Sequence, residues 1–393
     1  MIRKLLFILD GYPFGASTSC VFVKKLIVAL VDMGYRCTVI APRIITSVST
    51  IQNVPYHFTD ITPAGNSIDI YFPKYFYWVR NDVGIRWSMN NHLFAVKKTI
   101  AREKIEFDAV YGHFIFQCGL TAARIGRLFK VKSFLCAGES DKLLPGSERN
   151  HGVYMRGLHL CGWDRTLSSL SGVICVSETT KKLLFENGFI DSSMKKRVTV
   201  IHNAVNTDIF TPGDKKEART RLGFKNDEFI VIFVGSFNDN KGVMRVAEAL
   251  KNASGIKKIY IGSGKYEPSD SSTLFCGRCP NEKVAEYLQA SDVFILPTKS
   301  EGCCNAILEA LCCGVPVVSS DLPFNDGILD KTNSIRVAPD NIEEIRKAVL
   351  AIRDGKVTFQ MDTDDYAVKY NSSERAKRII SFMEGTTYDI KDL

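Results

Sequence analysis

No apolar run in this 393-residue chain approaches the length of a membrane span. The N-terminus has a basic start and a short apolar run, but that run stops at Asp10, too early for a secretory signal, and no small-residue cleavage site follows. Leu5–Leu9 therefore reads as a first buried strand and the protein as cytoplasmic. Fixed-period repeats and low-complexity tracts are also missing, which argues against a solenoid. Histidine is scarce, six in all with no H-x3-5-H pair, so Cys276-Gly277-Arg278-Cys279 lacks the second half of a zinc site. The adjacent pairs Cys303-Cys304 and Cys312-Cys313 are poor disulfide partners, and the twelve cysteines are expected as reduced, mostly buried thiols. A Walker loop is excluded. Gly262-Ser263-Gly264-Lys265 has Ile259 where the leading glycine belongs, and Tyr266 replaces Ser/Thr. Asp362-Thr363-Asp364-Asp365 has D-x-D spacing but lies in a polar stretch that follows no strand, so no metal is expected there.

What is present is an ordinary soluble composition, 45% hydrophobic and 24% charged, in a chain long enough for two domains. The net charge of +8 is unevenly placed: 21 Lys+Arg against 12 Asp+Glu through Cys175, then 30 against 31. Between Tyr71 and Lys104 the basic excess is interleaved with Tyr71, Phe72, Tyr75, Phe76, Tyr77, Trp78, Trp87 and Phe94. Basic plus aromatic character fits docking on an anionic membrane face; the plain alternative is a solvated helix face over an aromatic core. No nucleic-acid module accompanies it, so nucleic acid is not an expected partner.

Apolar runs alternate with helical patterns along both halves. Strands are predicted at Leu5–Leu9, Cys37–Ala41, Ala109–Tyr111, Ser133–Cys136, Val173–Val176 and Val198–Ile201, with helices at Ser19–Met33, Cys118–Phe129 and Ser177–Asn187 between them. After a linker at Phe210-Thr211-Pro212-Gly213 the alternation restarts. Strands follow at Phe229–Val234, Lys258–Ile261, Asp292–Leu296 and Val315–Ser319, and helices at Val243–Ala253, Asn281–Leu288, Asn305–Cys313, Ile342–Ile352 and Ser373–Met383. This is the pattern of α/β architecture with two Rossmann-like doubly wound domains, spanning 1–209 and 210–372, followed by a last helix at 373–393. Ligands in such sheets sit at strand carboxyl ends, here in a cleft between the domains.

The chemistry concentrates in Ser300-Glu301-Gly302-Cys303-Cys304-Asn305, followed by Glu309 in E-x7-E spacing. Strand, glycine-bearing turn and helix in that order make an anion site from backbone N–H groups. Two acids beside it suit the hydroxyls of a sugar and a ribose. Gly235-Ser236 through Lys241-Gly242 follows another strand; taken alone Lys241 reads as a surface lysine after a turn, but with Glu301 and Glu309 downstream the ammonium reads as a diphosphate ligand. His113 and Gly138-Glu139-Ser140-Asp141 end strands of the first half, where a structural hydrogen bond is the simplest role for the histidine.

Together these residues resemble a family 4 (group 1) glycosyltransferase of the GT-B fold. Supporting marks are Val176-Ser177, Val200-Ile201-His202-Asn203-Ala204-Val205, Val234-Gly235-Ser236, Gly262-Ser263-Gly264 and Gly277-Arg278, in family order over nearly the whole chain. The resemblance implies a retaining, metal-independent transfer of a sugar from a nucleotide-sugar co-substrate, without a further cofactor, to a cell-surface glycan or lipid-linked acceptor. It implies Lys241 on the diphosphate, Glu309 on the ribose, and Glu301 with Gly302, Cys303, Cys304 and Asn305 on the donor sugar. Ser236, Gly262 and Gly264 line the donor pocket and Arg278 borders the base. Gly15 approaches the phosphate from the first domain, with His113 and Asp141 on the acceptor side; catalysis is expected to rest on Lys241, Glu301 and His113. The last helix is expected to cross back to the first domain. Ser236 stands where the family often has arginine and Ala137 where it usually has histidine. These departures keep open a non-catalytic sugar-nucleotide-binding subunit, and a GT-B nucleotide-sugar epimerase is a further alternative for which the tandem domains, without the full motif series, would suffice.

Overall fold

The computed structural model describes residues 2–14, 20–45, 54–78, 81–139, 158–160 and 162–386. The chain divides into two units, Met1–His202 with Ser372–Leu393, and Asn203–Asn371. The division falls ahead of the Phe210–Gly213 linker because the preceding residues belong to the second unit. Val205 N donates to Tyr370 O at 2.9 Å, and Phe210 is buried.

The first unit contains β1 (Lys4–Ile8), β2 (Arg36–Ile40), β3 (Arg43–Ile45), β4 (His57–Ile61), β5 (Ser67–Tyr71), β6 (Lys74–Phe76), β7 (Ala109–His113), β8 (Lys132–Ala137), β9 (Gly172–Cys175) and β10 (Val198–Val200). Eight of these form one sheet in the order β10-β9-β8-β7-β1-β2-β5-β4, while β3 and β6 pair separately. Only β4 runs antiparallel within the large sheet. The inner strands are continuous apolar runs because helices cover both faces. β4, HFTDI, instead alternates half-buried and exposed residues, as an edge strand must. The helix face offered as the plain alternative for Tyr71–Lys104 is present as the 22-residue helix Asp82–Glu103, whose Asn81 side chain accepts from Gly84 N. That helix turns Ile85, Met89, Val96 and Ile100 inward and leaves Trp87 and Phe94 exposed, which blurs its apolar face.

The helix expected from Cys118 begins at Leu120. Residues Ile115–Gly119 form a kinked turn instead, with Phe116 extended and Gln117 at positive φ. The helix Ser372–Gly385 belongs to the first unit. There Lys132 Nζ donates to Thr386 O at 2.9 Å, Arg375 Nε donates to His202 O at 2.9 Å, and the Phe382 ring packs on Phe134.

The second unit holds β11 (Phe229–Val234), β12 (Ile256–Ile261), β13 (Thr273–Gly277), β14 (Val293–Leu296), β15 (Val317–Ser320) and β16 (Ser334–Val337). All are parallel, in the order β13-β12-β11-β14-β15-β16. β15 starts at Val317 and not Val315, because Val315 N closes the preceding helix on Ala310 O. Asp362, at the head of the D-x-D run, caps the helix Thr363–Lys369 by accepting from Asp365 N at 3.0 Å. The described cysteines are free thiols, all but Cys276 and Cys279 buried.

Candidate functional site

The second unit's strand order reverses between β11 and β14, since β12 and β13 lie on one side and β15 and β16 on the other. At such a switch point the two loops leaving the central strands diverge and open a crevice for a ligand. The loop after β11 carries Lys241 and the loop after β14 carries Glu301. Their side chains form an ion pair, and both are mostly buried.

The loop around Glu301 is tied down on both flanks. Lys299 N donates to Asn240 O (2.8 Å), and the Asn240 amide donates to Ser300 O (3.2 Å). Ser319 Oγ and Ser320 Oγ donate to Leu296 O and Thr298 O. Asn203 Nδ2 donates to Cys303 O at 3.1 Å. On the opposite side Asn238 Oδ1 accepts from Lys241 N, and Arg245 donates to Pro297 O at 2.8 Å. Asp239 and Asp340 bridge Arg245 to Lys299 in a four-charge network. Such tethering fixes the Lys241–Glu301 geometry before any ligand arrives. Asn238, Asn240 and Arg245 were missed in the sequence; the one signal for Arg245 was its i+4 spacing from Lys241.

Cys304 precedes the helix Asn305–Cys312 as its N-cap residue, and Asn305 and Glu309 share a face of that helix at i, i+4. Ser300 Oγ and Asn305 Oδ1 are buried without a hydrogen-bond partner among the described residues. Orphaned polar atoms of this kind cost stability unless a ligand engages them. Burial pushes the Cys304 thiol up, so Cys303 and Cys304 act as small apolar packing beside Gly302.

The ends of β11 and β12 meet at unusually short range. Gly262 has φ +151°, and a Cβ there would fall 1.9 Å from Gly235 O. Only glycine permits this approach. Phe237 N then donates to Ser263 O, and a Cβ on Gly264 would meet Phe237 O at 2.4 Å. Arg278, leaving β13, donates to Ser263 Oγ at 2.7 Å, which joins it to the Gly262–Gly264 turn. Ser236 is exposed at the end of the same strand cluster.

In the first unit His113 ends β7 and is buried, with its ring against Phe22 and Phe114. Burial, reinforced by the Arg375 charge, lowers its pKa to about 3, so it is neutral near pH 7. Gly15 and Asp141 lie outside the described residues.

Two parallel-sheet units, the second with a cation–carboxylate pair at its switch point, define a GT-B architecture. The chain matches the profile "Glycosyltransferase Family 4" over residues 21–209 and "Glycosyl transferases group 1" over residues 228–354. It belongs to the family 4 (group 1) glycosyltransferases. It is 27% identical to a putative teichuronic acid biosynthesis glycosyltransferase, TuaC, of Bacillus subtilis, over 88% of each chain. It is 28% identical to a D-inositol 3-phosphate glycosyltransferase of Mycobacteroides abscessus over 47% of this chain and 46% of the other. Among solved structures, sucrose-phosphate synthase of Thermosynechococcus elongatus superposes with a TM-score of 0.79 at 16% identity, covering 97% of this chain and 98% of the other. Anabaena HepE in complex with UDP gives 0.68 at 14% identity, covering 97% and 99%.

Proposed function

We propose that this glycosyltransferase is retaining and metal-independent, and that it moves a hexosyl or N-acetylhexosaminyl group from a nucleoside-diphosphate sugar to a cell-surface glycan or lipid-linked acceptor. The observation that carries this reading is the Lys241–Glu301 pair across the second unit's switch point. Lys241 supplies the cation for the diphosphate, a charge-assisted contact of roughly 1.5–3 kcal/mol. Glu309 accepts from the ribose hydroxyls, and Glu301 with Gly302–Asn305 holds the donor sugar. The acceptor oxygen bonds to the anomeric carbon on the face the diphosphate leaves. The C–O electrons go to the departing phosphate oxygen, which takes up the acceptor's proton. Lys241 stabilises the charge developing there. The teichuronic acid role in TuaC's name and the UDP and UDP-glucose bound by Anabaena HepE support a nucleotide-sugar donor and a polysaccharide product.

The test is incubation with UDP-, GDP- and dTDP-sugars and lipid-linked acceptors, with the product anomer read by NMR and turnover compared with and without EDTA. An inverted product or loss of turnover in EDTA would sink the corresponding part of the reading. Ser236, exposed where the family often carries arginine, favours a second reading, a non-catalytic donor-binding subunit. Donor binding without turnover would support it, and interconversion of free donor would point to an epimerase.

The same proposal has the protein peripheral on an anionic membrane face. Phe76, Trp78, Val83, Trp87 and Phe94 are exposed beside exposed Lys74, Arg86, Lys97, Lys98 and Arg102. Among the described residues no helix is long and apolar enough to cross a membrane. Co-sedimentation with phosphatidylglycerol vesicles should weaken as salt rises. Equal binding to neutral vesicles would remove the electrostatic part.

A further inference from the structure

The first unit has its own switch point. Its strand order reverses between β1 and β7, with β2, β5 and β4 on one side and β8, β9 and β10 on the other. A cavity of about 520 Å³ opens beside these strand ends, lined by Asp10, Tyr12, Arg43, Tyr75, Tyr77 and Gln117 among others. That volume lies within the ~300–1,000 Å³ usual for small-molecule sites.

The turn after β7 is strained where it borders this cavity. Phe114 has φ 70°, ψ 148° and Gln117 has φ 60°, ψ −67°, conformations that side-chain-bearing residues rarely adopt. The surroundings hold them there: Phe114 N donates to Cys136 O (2.9 Å), Ile115 N to the buried Glu139 carboxylate (2.5 Å) and Gly119 N to Phe114 O (2.9 Å). The result is an aimed amide. Gln117 is 8% exposed, and its Oε1 accepts from Tyr75 Oη at 3.0 Å. Its Nε2 has no partner among the described residues. A buried amide donor left open costs stability, so the strain and the orphan together mark a place for a ligand acceptor atom.

The lining specifies the ligand class. Asp10 accepts, as it does from Cys118 Sγ at 2.8 Å, Gln117 Nε2 and the Arg43 guanidinium can only donate, and Tyr12, Phe14, Phe72, Tyr75 and Tyr77 offer ring faces. A ring of hydroxyls satisfies all three, because each hydroxyl both donates and accepts while the C–H faces lie on aromatics. We propose that this cavity binds the sugar ring to be extended, and that Gln117 selects it by donating from Nε2 to one of its oxygens. This rests on the transferase reading above. Tyr75 is a positioning residue, holding the amide through Oε1.

The test uses the full chain and a panel of methyl glycosides of glucose, galactose, mannose, N-acetylglucosamine and N-acetylgalactosamine. Saturation-transfer NMR should show one or more of them binding the wild type, with the signal lost in Gln117→Glu, which replaces the donor by an acceptor. Where turnover is measurable, Gln117→Glu should raise the acceptor KM about tenfold or more and leave donor Kd unchanged. Gln117→Gly provides a folding-safe control. It relieves the backbone, so a purely structural role predicts higher thermal stability with wild-type glycoside binding, whereas the proposal predicts lost binding despite the stability gain. Tyr75→Phe should weaken binding less than Gln117→Glu. Unchanged binding in Gln117→Glu and Gln117→Gly, or no panel member binding the wild type, overturns the proposal. If transfer fails altogether but glycoside binding still depends on Gln117, the cavity stands and the transferase reading falls.

Discussion

Two sheets in this molecule each reverse their strand order at a central pair and use that switch point differently. At the second unit's switch point the loops are held by ion pairs and backbone hydrogen bonds, and Asn252 is the only described residue of that unit other than glycine with a positive φ. The first unit carries Cys20, Phe114 and Gln117 in that region, in addition to Lys104 and Lys130 at helix ends. A diphosphate is a compact charge that a fixed cation can meet in relaxed backbone. Reading the hydroxyls of a sugar ring needs donors aimed one by one, and on the reading proposed above the distorted turn does the aiming.

This contrast can be broken by measurement. The largest effect is expected for Lys241→Ala, which should cut transfer about 10²–10³-fold and weaken donor binding without altering glycoside binding to the first unit. A parallel loss of both, by calorimetry and NMR, would mean that the two sites are not separable. Gly262→Ala should destabilise the protein by on the order of 3 kcal/mol, because its Cβ collides with Gly235 O, and urea titration would read this out.

Histidine protonation should act on the first unit, since all six histidines lie at or before His202. Burial lowers the pKa of both His92 and His113 to about 3. The unfolded chain, with ordinary histidines near 6.5, therefore binds protons first as pH falls, and stability declines between 6.5 and 3. From pH 6.5 to 5.5 the loss is about 2 kcal/mol for the pair. Hydrogen exchange should show opening of β7 and the helix Asp82–Glu103 before β11 and β14. Simultaneous opening would contradict the difference. The smallest effect belongs to Glu309→Gln, about tenfold in donor affinity with the fold intact by circular dichroism.

The two sites were unequally legible for the same reason. Glu301, Glu309 and Lys241 announce themselves because their spacing follows from a strand, a turn and a helix that are contiguous in sequence. The first unit's inner strands were equally plain as apolar runs. The kinked turn at Ile115–Gly119 was not, because residues 118–129 look helical and nothing in Phe116-Gln117 signals a positive φ. Gln117 acquires meaning only from Tyr75, far away in sequence and on the short β6. The charge network around Asp239 was hidden likewise, since Asp340 reaches it from beyond β16.

The helix Ser372–Gly385 has a consequence for biosynthesis. Residues 203–371 are in effect inserted within the first unit, whose last helix is translated after them. As the chain emerges from the ribosome, the second unit can close on itself while the first still waits for the residues that cap Lys132 and hold Arg375 against His202. Maturation therefore runs from the middle of the chain outward, and the half that begins synthesis is the last to be finished.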